Sequence, residues 1–211
     1  MGTVFLVHGG LWDPMNAQRF WRTPGIVAGL ELRGFTVLAP DRPPTPASWS
    51  EEVAVLRKLL PAEPVMLVGA SNGCSGAALL AVAYPHSVER LVLAWPATGA
   101  DPVVDGRARA GLISRGASEG VADELLAAGT LRGVRDEDLA RLGMPVAVLP
   151  SLPENPSHQR KTVDALLTLI PRSRELSGCP EPPTPHFPPH KNDLVATLAT
   201  FLDPAGESTA Y

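Results

Sequence analysis

Cysteine is almost missing from this chain: 211 residues contain two, Cys74 and Cys179. An intracellular protein of this size rarely needs a disulfide, so both are expected as free thiols, and no cysteine and histidine set has the spacing of a zinc site. Aromatic residues are also scarce, at 5%. Charge of one sign is scarce too: the formal net charge is -4 and the charged residues are scattered, which removes a basic footprint for nucleic acid and an acidic face for a membrane. No apolar run approaches the ~20 residues of a membrane span. The start, Met1 to Val7, lacks the basic region and small-residue cleavage site of a signal peptide. The expectation is a cytoplasmic protein without a cofactor, with no nucleic-acid or membrane partner, acting on a small molecule; oligomeric state is left open.

What the chain does have is apolar content and punctuation. Its 45% hydrophobic residues suffice for one compact domain that buries roughly 70% of its unfolded-chain surface. Short β-branched or leucine-rich runs occur at Thr3 to Val7, Thr36 to Ala39, Val65 to Val68, Arg90 to Ala94 and Val146 to Leu149, with a weaker sixth at Arg174 to Leu176. Helix-compatible stretches separate them: Trp21 to Leu32, Glu51 to Leu60 (opened by a capping box at Ser48), Gly73 to Tyr84, Ser157 to Ile170 and Lys191 to Leu202. That alternation predicts an α/β fold with a mostly parallel sheet of about six strands flanked by helices. Residues 98–143 turn glycine- and charge-rich, with short helical pieces at Val121 to Ala128 and Asp136 to Leu142, and read as an inserted small helical cap or lid. Residues 1–203 form the single domain and 204–211 a C-terminal tail. Between Pro180 and Pro189 prolines crowd a loop that is stiffened enough to present a side chain at a fixed place.

The chemistry is concentrated in Val65-Met66-Leu67-Val68-Gly69-Ala70-Ser71-Asn72-Gly73, a buried strand that runs through G-x-S-x-G directly into a helix. A tight turn there needs glycine two residues either side of the serine, and it pushes Ser71 into an exposed, strained position as a nucleophile. The helix beginning at Asn72 aims free N–H groups where an oxyanion would form. The same glycines also loosely match a dinucleotide-binding loop, but such a loop follows the first strand of its fold and this one follows the third. Upstream, Val4-Phe5-Leu6-Val7-His8-Gly9-Gly10 ends a strand in two glycines, and the Gly10 N–H pairs with that of Asn72 as the expected oxyanion hole. His8 is expected to order its loop.

Together with Val37-Leu38-Ala39-Pro40-Asp41-Arg42 and Tyr84-Pro85-His86-Ser87-Val88-Glu89-Arg90-Leu91-Val92-Leu93, these motifs resemble the α/β-hydrolase superfamily over nearly the whole chain, least in the cap. The resemblance implies the chain order nucleophile, acid, histidine, with the site at the carboxyl ends of the strands, in a minimal version lacking the two N-terminal strands of larger members. It places the acid just past the Val146 to Leu149 strand, at Glu154, with Asp101 or Asp105 as rivals. It places the base near the end, where Pro185-His186-Phe187-Pro188 stands for a Gly-His-Phe motif without its glycine; His186 is the first choice and His190 the second. His158 and His86 are expected as capping or surface groups. Leu11, Trp12 and Trp95 are candidates to line an acyl pocket. The implied activity is a serine hydrolase acting on a carboxylic ester, lactone or thioester through a Ser-His-acid triad and an acyl-enzyme. The alternatives are a non-catalytic binding protein on the same fold, or a lyase or isomerase using the same triad.

Overall fold

The computed structural model describes residues 2–127 and 129–203, so the tail assigned to 204–211 lies outside the described residues. Six strands, β1 (Thr3–Val7), β2 (Thr36–Leu38), β3 (Val65–Ala70), β4 (Val88–Ala94), β5 (Val146–Leu149) and β6 (Ser173–Glu175), form one sheet in the order β2-β1-β3-β4-β5-β6. Every neighbouring pair is parallel. The chain leaves β1 for the edge strand β2 and then returns to β3 on the other side of β1. The crevice outside the carboxyl ends of β1 and β3, where the two loops diverge, is therefore the place for a ligand.

The central strands are apolar at consecutive positions because both faces are covered. Val4 and Leu6 of β1 join one core cluster with Met66 and Val68 of β3, whereas Phe5 and Val7 join the other with Val65 and Leu67. Each such buried Val, Leu or Phe stabilises the fold by roughly 1.5–3 kcal/mol. The first face is closed by α1 (Ile26–Glu31) and α8 (Lys191–Leu202), whose buried residues belong to the same cluster. The second is closed by α2 (Trp49–Leu59), α3 (Gly73–Ala83) and α7 (Arg160–Leu169). Ser48 caps α2 by accepting the Glu51 N–H, as its sequence predicts.

The helix expected over Trp21 to Leu32 is broken. A short π-helix at Gln18–Arg22 and then α1 are separated by Pro24 and Gly25, the latter at φ +83. Proline disfavours helical backbone in the residue before it, and only glycine takes the left-handed turn cheaply. Residues 98–143, between β4 and β5, carry α4 (Pro102–Ser114), α5 (Glu119–Leu125) and α6 (Asp136–Leu139). A third apolar cluster, including Leu11, Trp49, Leu112, Ala122 and Leu125, seats α4 and α5 against the start of α2. Among the described residues no helix is long and apolar enough to cross a membrane.

Candidate active site

Ser71 stands immediately after β3 with φ +52, a left-handed conformation that costs a non-glycine residue about 1–3 kcal/mol. Its neighbours enforce the turn. A Cβ on Gly69 would lie 2.7 Å from the Ala77 Cβ, and one on Gly73 would lie 2.4 Å from the His8 carbonyl oxygen. Both glycines of G-x-S-x-G are thus required by close backbone approach. The Ser71 N–H donates to the Ala94 carbonyl at 2.9 Å, tying the turn to the end of β4.

The imidazole within reach of Ser71 is His158. Its Nε2 lies 2.9 Å from the Ser71 Oγ. His158 belongs to the loop between β5 and α7, where its N–H donates to the Asn155 carbonyl. The residues on either side are anchored to the end of the β4 segment: the Thr98 N–H donates to the Ser157 carbonyl at 2.8 Å, and the Gln159 N–H donates to the Thr98 Oγ1 at 2.9 Å. Behind the ring, Nδ1 lies 3.3 Å from Oε2 of Glu181, which follows β6 in the proline-dense loop. The contact has ion-pair distance without hydrogen-bond alignment, and among the described residues Nδ1 has no hydrogen-bond partner. The loops after β5 and β6 are held side by side by a bridge between Ser151 and Cys179 and by the Leu152 N–H on the Cys179 carbonyl. Trp95 braces this junction, its Nε1–H donating to the same carbonyl at 2.8 Å.

This arrangement exchanges the expected roles of the two loops. Glu154, expected as the acid after β5, is exposed, and the loop delivers a histidine instead. His186, expected as the base after β6, is exposed, and that loop delivers a carboxylate instead. The three side chains brought together stand in the chain order Ser71, His158, Glu181. His190, the second choice, ends a 3-10 turn before α8. Asp101 is occupied as the N-cap of α4 and by Lys161, and Asp105 by Arg132. The loops can trade side chains because both end beside Ser71 and beside each other; linear order does not say which reaches the serine. His158 carried one signal, its position four residues past Glu154 in the same loop, and the missing glycine before His186 was the complementary warning.

Burial governs the electrostatics. His158 is 8% exposed; burial, and secondarily the Arg132 guanidinium, push its pKa down to about 4, so the ring is neutral near neutrality and Nε2 can accept the Ser71 proton. Burial pushes the Glu181 carboxyl up to about 7. His8, by contrast, is structural, as expected: Nδ1 donates to the Gly9 carbonyl at 2.7 Å and Nε2 accepts the Arg42 N–H at 3.0 Å. Burial holds its pKa below the ordinary value. The Arg42 guanidinium pairs with buried Glu52 at 2.8 Å and also donates to the carbonyls of His8 and Gly10, so the loop after β1 is pinned from beneath.

A cavity of about 310 Å³ opens over Ser71, lined in part by Asn72, Leu11, Val104, Leu112 and Arg132. Asn72 begins the turn into α3, and its side-chain oxygen accepts from Arg132 at 2.8 Å. Gly10, at φ +89, lies in the adjoining crevice rather than in this lining. Of the expected pocket residues, Leu11 lines the cavity and the two tryptophans do not. Trp12 donates its ring N–H to the Pro46 carbonyl and lines the same adjoining crevice. Trp95 is fully buried against Phe20 and Trp21, with ring centroids 6.2 and 6.4 Å away. Among the described residues no group of three or more His, Cys, Asp or Glu is placed to share a metal ion.

No protein-family model and no curated protein matches the sequence. Solved structures do. The chain superposes on a mutant of the meta-cleavage product hydrolase CumD of Pseudomonas fluorescens IP01, complexed with acetates, with a TM-score of 0.71 at 18% identity over 96% of this chain and 92% of that one. MGS-MChE2, an alpha/beta hydrolase enzyme from the metagenome of lagoon sediments at Mar Chica, Morocco, gives 0.67 at 18% identity over 95% and 90%. The thioesterase domain from the curacin biosynthetic pathway gives 0.63 at 18% identity, again over 95% and 90%. At such identities the likeness speaks for architecture, and it agrees with the parallel sheet order and the strand-to-helix serine turn: this chain has the α/β-hydrolase fold.

Proposed function

We propose that the protein is a serine hydrolase of carboxylic esters, thioesters or lactones, in which Ser71 is the nucleophile, His158 the general base and acid, and Glu181 the carboxylate behind it. The single observation that carries this reading is the 2.9 Å contact between Ser71 Oγ and His158 Nε2 on a strained strand-to-helix turn. His158 Nε2 takes the hydroxyl proton as Oγ attacks the carbonyl carbon. The tetrahedral oxyanion is received by backbone N–H groups, that of Asn72 at the start of α3 and that of Gly10 on the pinned loop. The imidazolium returns its proton to the leaving alcohol or thiol, the acyl-enzyme forms, and water repeats the cycle to release the acid.

Glu181 matters because the imidazolium is otherwise opposed on every side. Burial and the Arg132 charge both disfavour it, so the carboxylate at 3.3 Å supplies the compensating charge in the transition state. A fluorophosphonate probe tests the reading. Labelling is expected in the wild type, is lost in Ser71→Ala and is much slowed in His158→Ala; equal labelling of wild type and Ser71→Ala overturns it. If the wild type does not label and turns over no ester, a non-catalytic binding protein becomes the better account.

A further inference from the structure

The lining of the Ser71 cavity is cationic, although the chain as a whole carries a formal charge of -4. Arg107, Arg115 and Arg132 line it, against a single carboxylate, Asp13, whose two oxygens accept the backbone N–H groups of Leu11 and Met15. Arg132 is already paired with Asp105 at 3.0 Å. Arg107 and Arg115 are not: among the described residues neither guanidinium has a hydrogen bond or ion pair.

Their placement, Arg107 within α4 and Arg115 at its C-cap, is systematic. Arg107, Gly111 and Arg115 follow one another at helical spacing on the face that lines the cavity. Gly111 leaves the space the last of them uses, since a Cβ there would lie 2.9 Å from Arg115 Nη1. The arginine of the other face, Arg109, is paired with Glu119 and Asp123 of α5. This segment thus pairs Arg109 twice and leaves unpaired the two exposed guanidinium groups that line the cavity over the candidate nucleophile. Guanidinium groups match carboxylates in geometry and charge, and a cavity walled by protein strengthens that match relative to open water.

Resting on the serine-hydrolase reading above, we propose that the substrate is a small ester or thioester bearing a carboxylate, held by Arg107 and Arg115 while its carbonyl lies at Ser71. The cavity volume of about 310 Å³ is at the small end of ligand sites, which limits the acyl and leaving groups to short ones.

Two isosteric pairs test the proposal and separate the side on which the charge sits. Monoethyl glutarate against its neutral amide counterpart places the carboxylate on the acyl chain; 4-carboxyphenyl acetate against 4-carbamoylphenyl acetate places it on the leaving group. In at least one pair the anion should be favoured in kcat/KM by about tenfold, as expected for two charge-assisted contacts. The preference should shrink toward unity in Arg107→Gln/Arg115→Gln and at high ionic strength. Equal kcat/KM within both pairs, or a preference unmoved in the double variant, overturns the proposal while leaving the Ser71 chemistry intact. If no ester is turned over, the Ser71 reading falls instead, and calorimetric titration of Ser71→Ala with monoethyl glutarate and its amide decides the anion site. Tighter binding of the acid, lost in the arginine double variant, supports it; equal binding overturns it. Both arginines are exposed, and circular dichroism of the double variant verifies that it folds.

Discussion

The site has a rigid half and an adaptable half. The serine half is made of consecutive residues, from β3 through Ser71 into α3, and at both its glycines an added Cβ would collide with Ala77 or with the His8 carbonyl. The histidine and acid half is made of two loops after β5 and β6, joined by the bridge from Ser151 to Cys179, with His158 and Glu181 meeting across them. In the first half, geometry is dictated by neighbours in the chain. In the second, only the joint surface of the two loops matters, and a histidine and a carboxylate can sit on either of them and still face the serine. Conserving an arrangement in space does not require conserving which loop supplies which group.

The sharpest way to break this comparison is to remove the histidines separately. His158→Ala is expected to lower kcat by about 10⁴-fold or more, whereas His186→Ala changes it less than about twofold, because its side chain is exposed and lines no part of the cavity over Ser71. The opposite result in ester-hydrolysis kinetics would return the base to the loop after β6. Next in size is the turn itself. Gly73→Ala forces a Cβ into the His8 carbonyl, and a loss of about 3 kcal/mol or more in denaturant unfolding is expected, since the clash is with backbone and cannot relax by a rotamer change.

Glu181→Gln comes third, with an expected fall of about 10²-fold in kcat, because an amide preserves shape but not charge behind the imidazolium. Its pH profile sharpens the point. Burial raises the Glu181 carboxyl to about 7 and lowers His158 to about 4. The pair is therefore expected to release a proton near pH 7 and the wild-type rate to rise with pH through that value, as the carboxylate that supports the imidazolium forms. Glu181→Gln should lose this limb and run flat from about pH 5 to 8, where His158 is already neutral. A limb unchanged by the substitution would place the titration elsewhere. The smallest effect is expected at Glu154→Gln, an exposed position, where kcat should stay within about twofold and stability within about 0.5 kcal/mol.

Much of the fold was legible in sequence, for physical reasons that differ by element. The central strands read correctly because burial on both faces demands unbroken apolar runs, and α2 and α3 because Ser48 at one end and Pro61 and Pro85 beyond the others mark their limits. The helix at Trp21 to Leu32 misread because its apolar spacing outweighed the Thr23-Pro24-Gly25 break. Trp12 and Trp95 were expected in the pocket because they flank it in sequence, yet Trp95 is spent on packing and on the Cys179 carbonyl.

The amino-acid sequence alone located the turn that carries the proposed nucleophile, since a strained turn between a buried strand and a helix is a local object whose glycines and serine lie within five residues. Only the tertiary structure decided the partners. Ser71 and His158 are 87 residues apart in sequence, and their encounter depends on how β5 and β6 pair and on how their loops bridge. Glu154 and His186 were the positional expectation for those two loops; His158 and Glu181 are what the pairing of the sheet brings beside the serine.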